Sequence, residues 1–185
     1  MPEIRKDPVF GRWVIIASER GPRPNEFKSG CGDGVYECPF CPGNEHLTPP
    51  AVYSLLSPEG AWRLRVVLNK YPALVIQDSR FKTPDLDVAD SIYNRMEGVG
   101  SHEVLIETTR HGLRLEELEV EAVADVVRTF VLRTREIKKD SRVKYVMIFK
   151  NHGRNAGASL SHPHSQLIAM PLAPIRVAEE VDGAA

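Results

Sequence analysis

The stretch SHPHSQLIAMP, Ser161 to Pro171, decides the fold, because it predicts a strand with polar groups along one face. Residues i and i+2 of a strand point to the same side of a sheet. His162, His164 and Gln166 are therefore expected to project as one row. Three such groups together are not typical of a core, so the row indicates a functional site on a sheet face.

The segments that precede this strand supply its neighbours. RVKYVMIFKN, residues 142–151, is β-branched and aromatic and predicts an adjacent strand, and HGRNAGAS, residues 152–159, predicts a glycine-bearing loop between the two. Upstream, residues 115–140 predict one long helix, with acidic residues in its first turns and basic residues in its last. Its apolar positions at helical spacing are Val120, Val123, Val127, Phe130, Val131, Thr134 and Ile137.

Further strands are predicted at 13–17 and 101–108, and residues 62–76 predict a half-buried strand followed by its neighbour. Residues 81–99 are poorly patterned and are interpreted as a surface excursion. Several strands with short connections and one dominant helix favour the α+β class, with an antiparallel sheet covered on one face by the helix. The length suits one domain, and the tail from Ala178 is expected to be frayed.

Composition excludes several classes of partner. Lys plus Arg number 24 against 25 Asp plus Glu, so the formal net charge is −1 and no general basic field would attract nucleic acid or a membrane surface. The chain lacks a transmembrane-length apolar run, and its first residues lack the apolar region of a signal peptide, so a cytoplasmic location is expected. Three cysteines, an odd number, suit a reducing compartment better than a disulfide framework.

The motif CPFC places Cys38 and Cys41 in a loop that is rich in proline and glycine. Two thiolates at this spacing can bind one zinc ion, which would pin a loop that has no core of its own. A redox role would require the motif at a helix start in a βαβ unit, which the sequence does not show. A motif this short can also have no role. Zinc would need two more ligands from the six histidines.

The histidine row itself leaves three chemical roles open, namely metal ligand, general acid or base, and nucleophile that attacks phosphorus. The preceding loop supplies glycines that permit close approach of an anion, with Asn151 and Ser159 as uncharged donors. A nucleotide phosphate would fit against it. The plain alternative is a glycine turn that leads into a histidine-bearing edge strand.

Four stretches together resemble one family: NHGRNAGASLSHPHSQ, CPFCPGNE, LNKYPAL and HEVLIETTRH. They are similar to the N-terminal half of the galactose-1-phosphate uridylyltransferases and their ADP-glucose phosphorylase relatives, within the histidine-triad superfamily. The resemblance spans residues 5–171. It implies a histidine-triad-like antiparallel sheet with one long helix packed on it, an N-terminal domain at 1–177, a tail at 178–185, and the absence of the family's C-terminal domain.

The resemblance also implies a ligand set for a metal. His162 would bind zinc together with Cys38, Cys41 and His111. A Cys₂His₂ set leaves no open coordination position, so this zinc would be structural.

For chemistry, the resemblance implies that His164 is the nucleophile and that Gln166 and Ser159 hold phosphoryl oxygens. Histidine-triad hydrolases carry a histidine where this chain has Gln166, and an amide cannot shuttle a proton, which suits transfer over hydrolysis. The implied substrate-binding residues are Asn151, Gly157, Ala158, Ser159, Gln166, Asn69, Lys70, Arg20 and Arg23.

The implied function is transfer of UMP, or AMP, from a nucleotide sugar to a hexose 1-phosphate through a covalent nucleotidyl-histidine, in galactose and carbohydrate metabolism. The alternatives are an adenylyltransferase of the phosphorylase type and a zinc-stabilised nucleotide-binding domain that is incomplete without its second half. A homodimer or a complementary C-terminal domain is expected as partner. Lys70 and Ser165 differ from residues common in uridylyltransferases and leave the base open, and Cys31 has no derived role.

Overall fold

The computed structural model describes residues 2–21, 37–76 and 94–184 of the chain, and the predictions for Arg23 and Cys31 lie outside them. Two α-helices and eight strands form the described part. They are β1 (Glu3–Lys6), β2 (Trp13–Ile16), β3 (Ala51–Leu56), β4 (Trp62–Leu68), β5 (Arg95–Glu97), β6 (Ser101–Ile106), α1 (Val120–Ile137), β7 (Tyr145–Phe149), β8 (His164–Met170) and α2 (Ile175–Gly183). Single 3₁₀ turns lie at Ser18–Arg20, Glu45–Leu47, Leu115–Glu117 and Arg154–Ala156.

A five-stranded antiparallel sheet carries the fold, in the order β3-β4-β6-β8-β7. The register of its central pair places Val104 opposite Gln166 and Ile106 opposite His164. A smaller antiparallel sheet, in the order β2-β1-β5, lies beside it. This arrangement confirms the predicted α+β class.

The long helix covers one face of the larger sheet. The cluster of buried side chains there comprises Leu64, Val66, Leu105, Leu167 and Ala169 from the strands and Val126 and Ile137 from α1. Each fully buried side chain of this type stabilises the fold by roughly 1.5–3 kcal/mol. Successive residues of a strand face opposite sides of the sheet. Val104 and His164 therefore point to the face opposite that of Leu105 and Leu167, away from α1.

The buried stripe of α1 differs from the predicted one. Val120, Val127 and Val131 are exposed, whereas Val126, Thr129 and Ile137 are buried. Valine occurs on more than one side of this helix, so apolarity alone did not select the packed face. The sheet selects it, and Arg133 is turned inward on that face to pair with Glu103.

Several predicted boundaries were wrong. The residues after β4 form turns and one isolated bridge at Val75 in place of a second strand. The predicted long helix begins with a separate 3₁₀ turn and becomes α-helical only at Val120. Strands β1, β3 and β5 were not predicted. β1 and β5 have only four and three residues, and β3 has six residues without strict alternation of apolar and polar side chains.

The tail that was expected to be frayed contains α2. Ile175, Ala178 and Val181 recur at helical spacing in this segment, and Ala and Glu favour the helix. None of the helices in the described ranges has the length and apolarity needed to cross a membrane. The cytoplasmic location stays a prediction.

Candidate active site and metal centre

Two thiols and two imidazoles converge close to the start of β8. One ligand atom from each of Cys38, Cys41, His111 and His162 lies within 4.8 Å of all the others. Sγ of Cys41 is 3.4 Å from Nδ1 of His111 and 3.6 Å from Nδ1 of His162. A tetrahedral ion with the usual Zn–S and Zn–N bond lengths separates its ligand atoms by roughly 3.4–3.8 Å. The cluster therefore has the composition and the spacing to hold a metal ion.

Outer contacts orient both imidazoles of the cluster. His162 Nε2 lies 2.9 Å from the carbonyl oxygen of Thr108, to which its N–H donates, and His111 Nε2 lies 2.8 Å from Oγ of Ser161. In His162 this contact leaves Nδ1 unprotonated and directed at the thiols. Such supporting hydrogen bonds are typical of metal-binding histidines.

Burial governs the electrostatics of the cluster. It lowers the pKa of His162 to about 4, so the ring is neutral and its lone pair is available at neutral pH. It also raises the pKa of the Cys38 thiol to about 11, because the thiolate loses its hydration. A bound cation reverses that preference, since a coordinating thiol is deprotonated.

The loop of Cys38 and Cys41 is attached to the large sheet by polar contacts as well. Within the loop itself, Nδ2 of Asn44 donates to the carbonyl oxygen of Cys38 at 2.9 Å. Two contacts then join this segment to β4, and in one of them Nη2 of Arg65 donates to Oγ1 of Thr48 at 2.9 Å. The indole N–H of Trp62, on β4, donates to Glu45 at 2.6 Å. These contacts, with the four-residue cluster, pin the segment that sequence analysis expected to need an anchor.

His164 is the first residue of β8 and faces a cavity of about 370 Å³. It is buried, with 8% of its surface exposed. Its Nδ1 lies 2.7 Å from the carbonyl oxygen of His162, so the Nδ1–H donates there and Nε2 carries the lone pair. Burial lowers the pKa of His164 below its ordinary value, which keeps the ring neutral.

The cavity brings together the remaining site residues that were predicted and are described. Its lining includes Arg20, Asn69, Lys70, Asn151, Gly157, Ala158, Ser159, His164 and Gln166. Gly157 has a φ of 78°, a conformation that L side chains rarely adopt, so the loop beside His164 requires glycine at this turn. One side of the cavity is thus lined by polar groups of the loop and the strand.

Of the predicted row of three polar side chains, His164 and Gln166 line the cavity, and His162 lies with Cys38, Cys41 and His111. Strand β8 begins at His164, two residues after His162, and the carbonyl oxygen of Pro163 accepts from the N–H of Glu107 at 3.2 Å. His162 is fully buried at the metal cluster.

Two buried polar groups that sequence reasoning did not assign lie close to this site. His102, on β6, is 2% exposed and lies at the cavity, with Nε2 2.9 Å from Oε1 of Gln166. Glu107 accepts from Oγ of Ser165 at 2.5 Å and pairs with Lys150. Ser165 thus donates to Glu107 and is not among the residues that line the cavity.

The sequence of the chain matches a known protein family over most of its length. Residues 1–174 match the family model described as galactose-1-phosphate uridyl transferase, N-terminal domain. The chain belongs to this family. ADP-glucose phosphorylase from Arabidopsis thaliana is 35% identical over 98% of this chain and 52% of the relative. A galactose-1-phosphate uridylyltransferase from Thermotoga maritima is 31% identical over 96% of this chain and 49% of the relative.

Solved structures of the galactose-1-phosphate uridyl transferase family have the same architecture. The crystal structure of the Arabidopsis thaliana ADP-glucose phosphorylase with bound ADP-glucose matches with a TM-score of 0.68 and 34% identity. The match covers 99% of this chain and 53% of that one. The chain spans about half the length of the curated relatives it matches.

Proposed function

We propose that the chain transfers a nucleotidyl group from a nucleotide sugar to a sugar 1-phosphate, with a covalent intermediate on Nε2 of His164. One observation carries this proposal. The Nδ1–H of His164 donates to the His162 carbonyl oxygen at 2.7 Å, which leaves an unprotonated Nε2 on the ring that lines the cavity. An uncharged, oriented imidazole is the form that attacks phosphorus.

The reaction has two displacements at the α-phosphorus. In the first, the Nε2 lone pair forms the N–P bond while the bond to the bridging oxygen breaks, and hexose 1-phosphate leaves with that electron pair. A phosphate leaving group is a weak base and needs no proton from the enzyme. In the second, a phosphate oxygen of the acceptor attacks the same phosphorus and the N–P bond breaks, which restores the neutral ring.

Gln166 and Ser159 are proposed to donate hydrogen bonds to the nonbridging phosphoryl oxygens, and both line the cavity with His164. Asn151, Gly157 and Ala158 are proposed to contact the nucleotide, with Asn69 and Lys70 near the ribose. Arg20 supplies positive charge at the cavity for the substrate phosphate, and Arg23 is assigned to the same role from sequence alone. Donors that are fixed before the substrate binds stabilise charge in the transition state without reorganisation.

We assign zinc to the Cys38, Cys41, His111 and His162 cluster, with a structural role. Soft thiolates and imidazoles suit this ion, and four protein ligands leave no position for a substrate. The ion would tie the CPFC loop to the segment before β8. It would hold the backbone carbonyl of His162 where His164 needs it.

Two combinations of nucleotidyl donor and acceptor are supported by the relatives. The 35% identity to an ADP-glucose phosphorylase favours adenylyl transfer with inorganic phosphate as acceptor, and the 31% identity to a galactose-1-phosphate uridylyltransferase favours uridylyl transfer to a hexose 1-phosphate. We also propose that acceptor binding uses a second unit, either a second copy of the chain or a region equivalent to the other half of these relatives.

Intact-mass spectrometry tests the proposal. The protein is incubated with UDP-glucose or ADP-glucose, and we expect a covalent uridylyl or adenylyl increment that identifies the preferred nucleotide. The increment should be absent from His164→Ala and present in the matched control His152→Ala, an exposed histidine of the neighbouring loop. A folded, zinc-loaded protein that gains no mass with either substrate would instead be a nucleotide-binding domain that is catalytically incomplete on its own.

A further inference from the structure

We propose that His102 is a positioning residue that fixes the amide of Gln166 with its N–H₂ group toward the reacting phosphoryl group. This inference rests on the proposed function, because it assigns Gln166 to that group. It adds a residue that neither the motif around His164 nor the metal cluster contains.

His102 occupies a protected position beside Gln166. It lies on β6, 2% exposed, with its ring on the cavity side of the sheet. The register of β6 and β8 places Val104 directly opposite Gln166, so His102 is the diagonal neighbour of Gln166 on the same face. Diagonal neighbours are within reach of ring and long side chains.

The contacts of Nδ1 determine which nitrogen of His102 carries the proton. The backbone N–H of Ala73 donates to Nδ1 at 3.0 Å, and Nη1 of Arg20 lies 3.1 Å from the same atom. A backbone N–H and a guanidinium can donate but cannot accept. Nδ1 must therefore be the unprotonated nitrogen, and Nε2 of the neutral ring carries the hydrogen.

Two side chains of the described residues contact Nε2 at hydrogen-bond distance, and one of them offers this hydrogen an acceptor. Oε1 of Gln166 lies at 2.9 Å, and Nδ2 of Asn69 at 3.1 Å. The amide of Asn69 is oriented by its own Oδ1, which accepts from the N–H of Tyr71 at 2.9 Å, so Asn69 presents a nitrogen. With a protonated Nε2, the amide nitrogen of Asn69 is a non-bonded neighbour. A reversed Gln166 amide would add a second nitrogen donor at Nε2–H and leave this hydrogen without an acceptor among these contacts. The carbonyl end of Gln166 is thus held at His102.

The consequence concerns the other end of Gln166. With Oε1 held by His102, the N–H₂ group is the end of the amide available to the cavity that His164 also lines. An N–H₂ group stabilises an anionic phosphoryl oxygen, whereas a carbonyl oxygen in that place would repel it. His102 converts a side chain that could present either end into a defined donor.

Two substitutions of His102 separate its two ring nitrogens. His102→Asn keeps an acceptor near the Nδ1 position for Ala73 but loses the donor at the Nε2 position. His102→Gln keeps a donor that can reach Gln166 and loses the acceptor. We expect His102→Asn to slow formation of the covalent adduct by about 10–100-fold. This loss should not exceed the roughly 100–1,000-fold loss that follows when a transition-state hydrogen-bond donor is removed. His102→Gln should stay within about threefold of the wild type, with nucleotide-sugar affinity similar in both.

The double variant supplies a readout that a purely structural residue would not give. In a Gln166→Ala background, His102→Asn should cause no further loss of rate, because the two residues act as one unit. Multiplicative losses would overturn the proposal. Glu103→Gln is the matched control, since Glu103 is the next residue of β6 but faces α1, where it pairs with Arg133. It should lower the melting temperature without a selective loss of adduct rate.

Nuclear magnetic resonance tests the orientation without any turnover. Long-range ¹H–¹⁵N correlation of the His102 ring should show Nε2 protonated, and His102→Asn should shift the side-chain amide signals of Gln166. Protonation on Nδ1, or unshifted Gln166 signals, would overturn the inference. If the wild type gives the expected spectra but no adduct with either nucleotide sugar, the proposed function fails while the positioning of Gln166 stands.

Discussion

The two histidines of the HPH motif are joined by a hydrogen bond, in which the Nδ1–H of His164 donates to the carbonyl oxygen of His162 at 2.7 Å. His162 in turn donates from Nε2 to the carbonyl oxygen of Thr108 at 2.9 Å and turns Nδ1 toward the thiols. The side chain of one histidine thus belongs to the metal cluster while its backbone orients the other.

The first prediction concerns the atom that carries the nucleotidyl group. Because Nδ1 of His164 is engaged with a backbone carbonyl, the phosphorus should bond to Nε2. Correlation of ³¹P with ¹⁵N in histidine-labelled protein, after incubation with the nucleotide sugar that gives the adduct, identifies the bonded nitrogen. A phosphorus coupled to Nδ1 would contradict the orientation seen here.

The second prediction concerns the metal. Cys38→Ser should abolish stoichiometric zinc binding and lower the melting temperature by several degrees, because the proposed ion would anchor a loop with little core of its own. Metal analysis by mass spectrometry and a thermal melt measure the two effects. Cys31→Ser is the control, and it should keep its zinc because the four-residue cluster already completes a tetrahedral shell. Undiminished zinc in Cys38→Ser would remove this cysteine from the ligand set.

The third prediction concerns the contact between the sheet and α1. Side chains of Glu103 and Arg133 are only 3% and 14% exposed and form two hydrogen bonds, of 2.7 and 2.9 Å. Glu103→Leu should destabilise the fold by about 3 kcal/mol, since it leaves a buried guanidinium unpaired. Glu103→Leu combined with Arg133→Met should cost less, because neither charge then remains. Urea denaturation measures both, and a double variant less stable than the single one would refute this account.

The fourth prediction concerns the loop before the nucleophile. Gly157→Ala should cost about 1–2 kcal/mol, the penalty for an L residue in the left-handed region, although its Cβ would meet no atom within 4 Å. Because the strain falls next to Ala158 and Ser159, nucleotide affinity should weaken as well. Gly183→Ala, in α2 and without a positive φ, is the matched control and should be neutral or slightly stabilising. Thermal denaturation and nucleotide titration measure the two effects. Equal melting temperatures and equal nucleotide affinities in the two variants would contradict a role for backbone strain at Gly157.

Much of the site was accessible from sequence because its chemistry depends on residue types at short spacings. CPFC, HPH and the glycine loop specify thiols, imidazoles and a tight turn wherever the chain places them. Apart from Arg23, which lies outside the described residues, the predicted site residues meet at the cluster or at the cavity. The strands that carry them were predicted where hydrophobic patterning is strong, as in β4, β6 and β8.

The burial of α1 shows what patterning could not supply. A helix with valines on several sides has more than one possible packed face, and the choice depends on the shape and charge of the opposing sheet. Arg133 turns inward because Glu103 is buried there, and Val127 and Val131 remain outside. The pairing of two ions across distant segments carries no local signal in the sequence.

The sequence by itself determined which groups are present, namely four candidate metal ligands, one candidate nucleophile and the glycine that permits the loop. Only the tertiary structure decided which role each histidine takes, because the side chain of His162 lies with the thiols of Cys38 and Cys41, whereas His164 begins β8 and lines the cavity. The tertiary structure alone also placed His102 beside Gln166, through a register between strands 64 residues apart. Hydrogen-bond direction depends on such long-range neighbours, and no local pattern encodes it.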